Sequence, residues 1–235
     1  MALHGTNGRH RIYLMRHGAV RYFDDEGKPV NPVSVTLTDE GRAQAAAVGA
    51  ALADVAIDRV VCSGLPRTRE SATIAANGRD LVIEDLPEFS EIKGGRFTDI
   101  PRDRIEAEIV YGFEAAAKPG ARFAGGELIV DFEDRVTTAF LGLLDAPDWT
   151  NILIAAHDAV NRVLLGWTCG AGLASVASFE QDMGCLNIID VDLVDGEIIR
   201  KLIKAVNLTP YNLAKLGLNR TSMEQVMAGY LGQPR

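Results

Sequence analysis

Arg11-Ile12-Tyr13-Leu14-Met15-Arg16-His17-Gly18 is the stretch that decides the fold. Arg11 to Met15 reads as a short apolar strand. The run ends on a cation, an imidazole and a glycine, and glycine permits a sharp turn at the strand end. Asn151 to Ala156 has the same layout: a continuous apolar strand that stops on His157-Asp158. Arg59 to Ser63, with Val60-Val61-Cys62, is a second strand in chain order, and Gly64-Leu65-Pro66 turns it into a helix with proline near its first position, running through Ala75.

Between these strands the chain alternates. Ala19 to Val35, with Asp24-Asp25-Glu26-Gly27, Pro29 and Pro32, is turn chemistry and reads as the rim of a site. Thr38 caps a helix with Asp39 and Glu40 in its first turn, and Ala43, Ala46, Ala47 and Ala50 form a small face suited to lying close on a sheet. Leu81 to Leu86 is a third candidate strand. An irregular stretch, Pro87 to Pro101, leads into helical sequence to about Ala117, which Lys118-Pro119-Gly120 breaks. From Gly126 a long helix carries the stripe Leu128, Phe132, Val136, Phe140, Leu143, which we read as core, and it ends before Pro147. A helix from Ala159 to about Trp167 follows the His157 strand. Cys185 to Leu193 and Glu197 to Ala205, joined by Asp195-Gly196, read as an antiparallel hairpin.

This order predicts an α/β fold of three layers: a mostly parallel sheet with at least one antiparallel strand and helices on both faces. With 235 residues and roughly 150 per domain, we expect a flexible leader over 1–10, a single α/β domain over 11–206 and a tail over 207–235 that packs on it and holds a short helix near its end. Lys and Arg number 24 against 32 Asp and Glu, a net charge of −8, which argues against a surface built to collect nucleic acid or anionic lipid. Any anion site is therefore local. Cys62, Cys169 and Cys185 are odd in number and lack a CxxC pair, so neither a disulfide framework nor a zinc site is indicated. With no signal-type or membrane-spanning apolar run, the expected location is cytoplasmic.

Of the four histidines, His4 and His10 fall in the leader, leaving His17 and His157 in the body, each directly after an apolar strand. Ligands of open α/β sheets bind beyond the carboxyl ends of the strands, so these two imidazoles can face one another across a crevice. Taken singly, each is more readily a histidine satisfied by a local hydrogen bond; the coincidence of two favours the site. Arg16 and Arg67 lie at the same end, and planar bidentate donors beside a helix N-terminus suit a phosphoryl group. Arg69, two positions and roughly 200° around the helix from Arg67, cannot share its direction.

Arg16-His17-Gly18, Leu37-Thr38-x-x-Gly41 with Gln44-Ala45, Ser63-x-Leu65-x-Arg67 and a strand ending in His157 together resemble the histidine phosphatase superfamily, the phosphoglycerate-mutase-like fold, in its small-phosphatase branch. The resemblance implies a nucleophile at His17, a phosphohistidine intermediate, and Arg16, Arg67 and His157 around the phosphoryl oxygens, with no metal and no cofactor. It places the general acid at Glu91, within Phe89-Ser90-Glu91-Ile92-Lys93-Gly94-Gly95; Glu88 is the register alternative. Asp158 is a further candidate, since His157-Asp158 is similar to the His-Asp pair of the acid phosphatase branch. Gly125-Gly126-Glu127 resembles the family's Gly-Glu-Ser segment with Leu128 in place of serine. Arg21, Tyr22 and Asn161 are candidates to line the pocket, though ordinary surface roles fit them equally.

We therefore expect a metal-independent phosphomonoesterase acting on a small phosphorylated metabolite. The alternative is a phosphoglycerate mutase or other phosphotransferase with the same intermediate, disfavoured because Val20-Arg21-Tyr22-Phe23-Asp24-Asp25 lacks the mutase pattern. From another class, a non-catalytic phosphate-binding or interaction module is the rival. The sequence names neither the metabolite nor an oligomeric state; a homo-oligomer is compatible with it.

Overall fold

The computed structural model describes residues 6–24, 26, 28, 30–96, 99–146 and 148–231. His4, Asp25, Gly27, Pro29, Pro147 and the first five residues of the expected leader lie outside the described residues. The described part of that leader is not a free arm: Thr6–Gly8 form a 3-10 turn and the first strand, β1 (Arg9–Arg16), already includes His10, whose ring meets Trp149 edge-on at 4.5 Å.

After β1 come α1 (Asp39–Ala51), β2 (Arg59–Cys62), α2 (Pro66–Ala75), β3 (Ile83–Asp85), α3 (Ile105–Ile109), α4 (Ile129–Leu144), β4 (Asn151–Ala156), α5 (Asp158–Cys169), β5 (Leu186–Val194), β6 (Glu197–Leu208) and α6 (Ser222–Tyr230). One six-stranded sheet has the order β3-β2-β4-β1-β5-β6. β3, β2, β4 and β1 are parallel neighbours, and β5 runs antiparallel to both β1 and β6. The mostly parallel sheet with an antiparallel strand is thus observed.

The two faces of the central strands feed two cores. Ile12 and Leu14 of β1 with Ile152 and Ile154 of β4 pack under α4 and α5, beside Phe132, Val136, Phe140 and Leu164. Tyr13 and Met15 with Leu153 and Ala155 face α1 and α2, beside Ala45, Val48, Ala72 and Ala75. Both faces are apolar because both carry helices, the physical reason these strands show no alternation.

Four local expectations are corrected. On α1 the face toward the sheet is Gly41, Gln44, Ala45 and Val48, while Ala43, Ala46 and Ala50 are exposed. The close approaches of α1 are made by Gly41 to the turn after β1 and by Gly49 to the backbone of α2. The helical stretch to about Ala117 shortens to α3, with turns from Val110 onward, because Gly112 weakens the helix and Phe113 turns to stack on Phe123 at 5.1 Å. β3 loses Leu81, Val82 and Leu86 and keeps only Ile83–Asp85 at the sheet edge; Val82, just before it, is 82% exposed. Leu128 is the N-cap of α4 and so precedes the helix rather than joining its stripe, whereas Phe132, Val136, Phe140 and Leu143 are buried.

Candidate active site

β1 and β4 pair in parallel with Arg16 opposite Ala156, so the residues that follow them, His17 and His157, leave the sheet side by side. Their ring centroids are 5.3 Å apart at an interplanar angle of 68°. Close backbone approach holds the first histidine. A Cβ on Gly18 would lie 2.2 Å from the Gly41 carbonyl oxygen, and one on Gly41 would lie 2.2 Å from that of Ala19. Only glycine fits at either position, which accounts for both glycines of the motifs.

His17 is buried, and its Nδ1 lies 2.8 Å from its neighbour Gly18 O. A carbonyl oxygen only accepts, so Nδ1 carries the proton and Nε2 keeps its lone pair. Burial, then the charges of Arg67 and Arg16, hold the imidazole well below its usual pKa, which keeps it neutral. His157 is also lowered by burial, and next by His17 and Arg67. Its Nε2 is 2.8 Å from Ser63 Oγ, and its Nδ1 is 3.4 Å from Arg67 Nη2. With Arg67 as a donor only, the proton sits on Nε2 and passes toward Ser63, which contacts Thr68 Oγ1 at 2.9 Å.

Arg16 and Arg67 are 3% and 4% exposed. Arg16 Nη1 donates to Gln181 O at 2.5 Å and Arg67 Nη1 to Pro32 O at 2.6 Å, yet the buried Nε of each has no protein partner. Buried donors of this kind are completed by an acceptor, and two guanidiniums flanking two imidazoles select an oxyanion. Arg69 points elsewhere, to Asp85. α2 is tied to the first histidine's turn by Ser71 Oγ, which accepts from Gly18 N at 3.1 Å.

Glu91 reaches the N-terminus of α5. Its Oε2 accepts from Asp158 N at 3.1 Å and its Oε1 from Ala159 N at 3.2 Å and Ile92 N at 3.0 Å. Burial and the Asp158 charge push its carboxyl up to about 7, against the pull of Arg16 and of the Ile92 amide. Its loop is held from behind by Arg135, which donates to Glu88 O and Ser90 O and pairs with Glu127 at 3.1 Å. Glu88 itself is exposed and borders an outer groove with Asp134 and Arg135, away from the histidines.

Asp158 is buried with both carboxylate oxygens engaged, Oδ1 by Arg162 Nε at 2.6 Å and Oδ2 by Ser222 Oγ at 2.8 Å. The Tyr22 hydroxyl feels Arg67, Arg16 and Glu91, while burial raises it above the usual tyrosine range. Asn161 is buried within reach of Gln181 Oε1 at 3.0 Å, and Arg21 is exposed. Among the described residues no cluster of three or more His, Cys, Asp or Glu is placed to hold a metal ion, and no helix is long and apolar enough to cross a membrane.

The sequence reading passed over Gln181, Arg162, Glu180 and Ser222. Arg162 had a signal, its i,i+4 spacing from Asp158. Gln181 and Ser222 had none, since they arrive from irregular chain and from the tail.

A family model described as histidine phosphatase superfamily (branch 1) matches residues 12–202. The adenosylcobalamin/alpha-ribazole phosphatase of Salmonella typhimurium is 30% identical over 187 residues, 77% of this chain and 90% of that protein. A probable phosphoglycerate mutase GpmB of Erwinia tasmaniensis is 28% identical over 168 residues, 68% of this chain and 75% of that protein. The crystal structure of the alpha-ribazole phosphatase from Shigella flexneri superposes with a TM-score of 0.66 at 26% identity, covering 84% of this chain and 96% of that one.

Proposed function

The chain belongs to the histidine phosphatase superfamily, branch 1, and we propose that it is a phosphomonoesterase of small phosphorylated metabolites working through a phosphohistidine on His17. The observation that carries this is the neutral His17 ring, its Nε2 lone pair free, opposite His157 and between two buried guanidiniums whose Nε groups lack protein partners. The His17 Nε2 lone pair attacks phosphorus as the bond from phosphorus to the ester oxygen breaks, and Glu91 gives its proton to that oxygen. Water then attacks the phosphohistidine, Glu91 takes the water's proton, and inorganic phosphate leaves with His17 neutral again. Arg16 and Arg67 hold the equatorial oxygens where charge develops. An arriving dianion favours protonation of His157 at Nδ1, which then donates to it as well.

Glu91 is preferred over Asp158 as the acid because its raised affinity for a proton suits donation near neutral pH, whereas Asp158 already has an arginine and a serine on its two oxygens. Glu88 faces away. Phosphatases acting on alpha-ribazole phosphates stand among the relatives, so alpha-ribazole 5'-phosphate belongs in the first substrate panel with 3-phosphoglycerate, which tests the mutase reading supported by the relative in Erwinia tasmaniensis. We place the activity in the cytoplasm, a reducing compartment suited to the unpaired Cys62, Cys169 and Cys185.

The test is hydrolysis of 4-nitrophenyl phosphate in excess chelator by the wild-type protein and His17→Ala, with alkaline quench to trap phosphoenzyme. Chelator-resistant turnover and an acid-labile, alkali-stable phosphoenzyme, both lost in His17→Ala, are expected. Phosphate binding without turnover or phosphoenzyme on any panel member supports the binding-module alternative instead.

A further inference from the structure

α6 is capped by Thr221, whose side chain accepts from Glu224 N while the Glu224 carboxylate accepts from Thr221 N. The first residue of the helix then reaches away from it. Ser222 N donates to Glu180 Oε1 at 2.8 Å, and Ser222 Oγ donates to Asp158 Oδ2 at 2.8 Å. Glu180 Oε2 and Asp158 Oδ1 are in turn joined by one guanidinium, Arg162, through Nη2 at 2.9 Å and Nε at 2.6 Å. The Asp158 backbone N–H, on the other side, holds Glu91 Oε2. A chain of polar contacts thus leads from the C-terminal helix to the Glu91 carboxyl.

The same helix touches two other walls of the site. A Cβ on Gly229 would meet the Phe23 ring at 2.9 Å, so α6 lies against the loop that follows His17. Val226 and Met227 pack on Ile105 and Ile109 of α3.

We propose that Asp158 and Ser222 are positioning residues for the general acid: Asp158, fixed by Arg162 and by the docked C-terminal helix through Ser222, holds Glu91 in place through its backbone N–H and sets its own buried carboxyl group beside it. This rests on the assignment of Glu91 as the acid. Asp158 has both carboxylate oxygens taken, Oδ1 by the Arg162 guanidinium at 2.6 Å and Oδ2 by the Ser222 hydroxyl at 2.8 Å. Its work is electrostatic, and docking of α6 keeps water from screening it. The groups that face Glu91 are Asp158, Arg16, Arg67 and Tyr22; those that face Asp158 are Arg162, Ser222, Arg16, Tyr22 and Cys185. Asp158 is the negative charge that bears most on Glu91, and the two arginines oppose it.

The experiment measures the pH profile of kcat/KM for an alkyl phosphate, whose poor leaving group needs the proton, in wild type, Asp158→Asn, Ser222→Ala and Ser222→Thr. Phosphoenzyme is trapped in each, and folding is checked by melting and circular dichroism. Removal of the anion is expected to move the alkaline limb about one pH unit lower in Asp158→Asn. Ser222→Ala moves it the same way by a smaller step, and Ser222→Thr, which keeps the hydroxyl, leaves it in place. An unmoved limb in folded Ser222→Ala, with phosphoenzyme still formed, overturns the inference and leaves the hydrolase reading intact. Absence of phosphoenzyme in wild type is instead a failure of the hydrolase reading. Ser222→Ala removes one oxygen and leaves Arg162 paired, so the test survives if Asp158→Asn fails to fold.

Discussion

His17 and Glu91 are tuned in opposite senses, the imidazole toward losing its proton and the carboxyl toward keeping it. The mechanism we propose requires the first neutral and the second protonated, so kcat/KM for an alkyl phosphate should be level through mildly acidic pH and fall above about 7, the Glu91 value. Glu91→Gln is expected to lower kcat/KM for alkyl phosphates about 10²- to 10⁴-fold and to remove that falling limb. An aryl phosphate with a weakly basic leaving group should lose far less. Equal losses on both substrates count against Glu91 as the acid. These residues were legible one at a time: His17 and His157 announce themselves by standing after apolar strands, Arg16 and Arg67 by lying at the same end of the sheet, and Glu91 by its resemblance. What the sequence could not separate was Asp158 from Glu91, because the two differ in who their partners are, and Ser222 lies 64 positions from Asp158.

At the scale of elements, the meeting of α1 with the turn after β1 is set by two glycines, with Gln44 taking the Ala19 amide beside them. Gly41→Ala should force α1 off the His17 turn, since its new Cβ would sit 2.2 Å from a backbone carbonyl oxygen that has no rotamer to escape by. We expect a stability loss of about 1–3 kcal/mol, read as a lower denaturation midpoint, together with a fall in kcat; an unchanged midpoint would show that the turn yields. Strands β1, β2 and β4 and helices α2, α4 and α5 were readable because apolar runs and the 3.6-residue period coincide with turn residues at their ends. α1 misled, since its alanines are common to both faces and Gln44, a polar residue, is what faces inward to take the Ala19 amide at 2.8 Å. The stretch after α3 misled for the opposite reason: its composition is helical, and tertiary packing of Phe113 overrides it.

Across the whole molecule, charge is concentrated at the antiparallel side of the sheet. Asp192 is held by Arg9 at 2.7 Å and Arg200 at 2.6 Å, and Asp190 by Arg11 at 2.7 Å. The Arg9 and Arg200 hydrogen bonds lower Asp192 to about 2 from an ordinary 3.8. Because the folded pKa is depressed, this contact stabilises fully above 3.8 and its contribution is lost as pH falls through about 2. Asp192→Asn should therefore melt below wild type at pH 6, with the gap closing toward pH 2; a gap that stays constant means that packing, not charge, accounts for it. The fold class was visible from the alternation of elements. The docking of the last helix was not, for the contacts of Ser222 and Gly229 that anchor it reach parts of the chain far away in sequence.

The pairing of Arg16 with Ala156 has a further consequence. The distance between the two imidazoles is ruled by inter-strand hydrogen bonds in the interior, so it does not depend on the length or composition of any segment around the rim. Insertions, deletions or whole-loop grafts between residues 19 and 35 or 94 and 125 change what may enter while the reacting pair keeps its spacing.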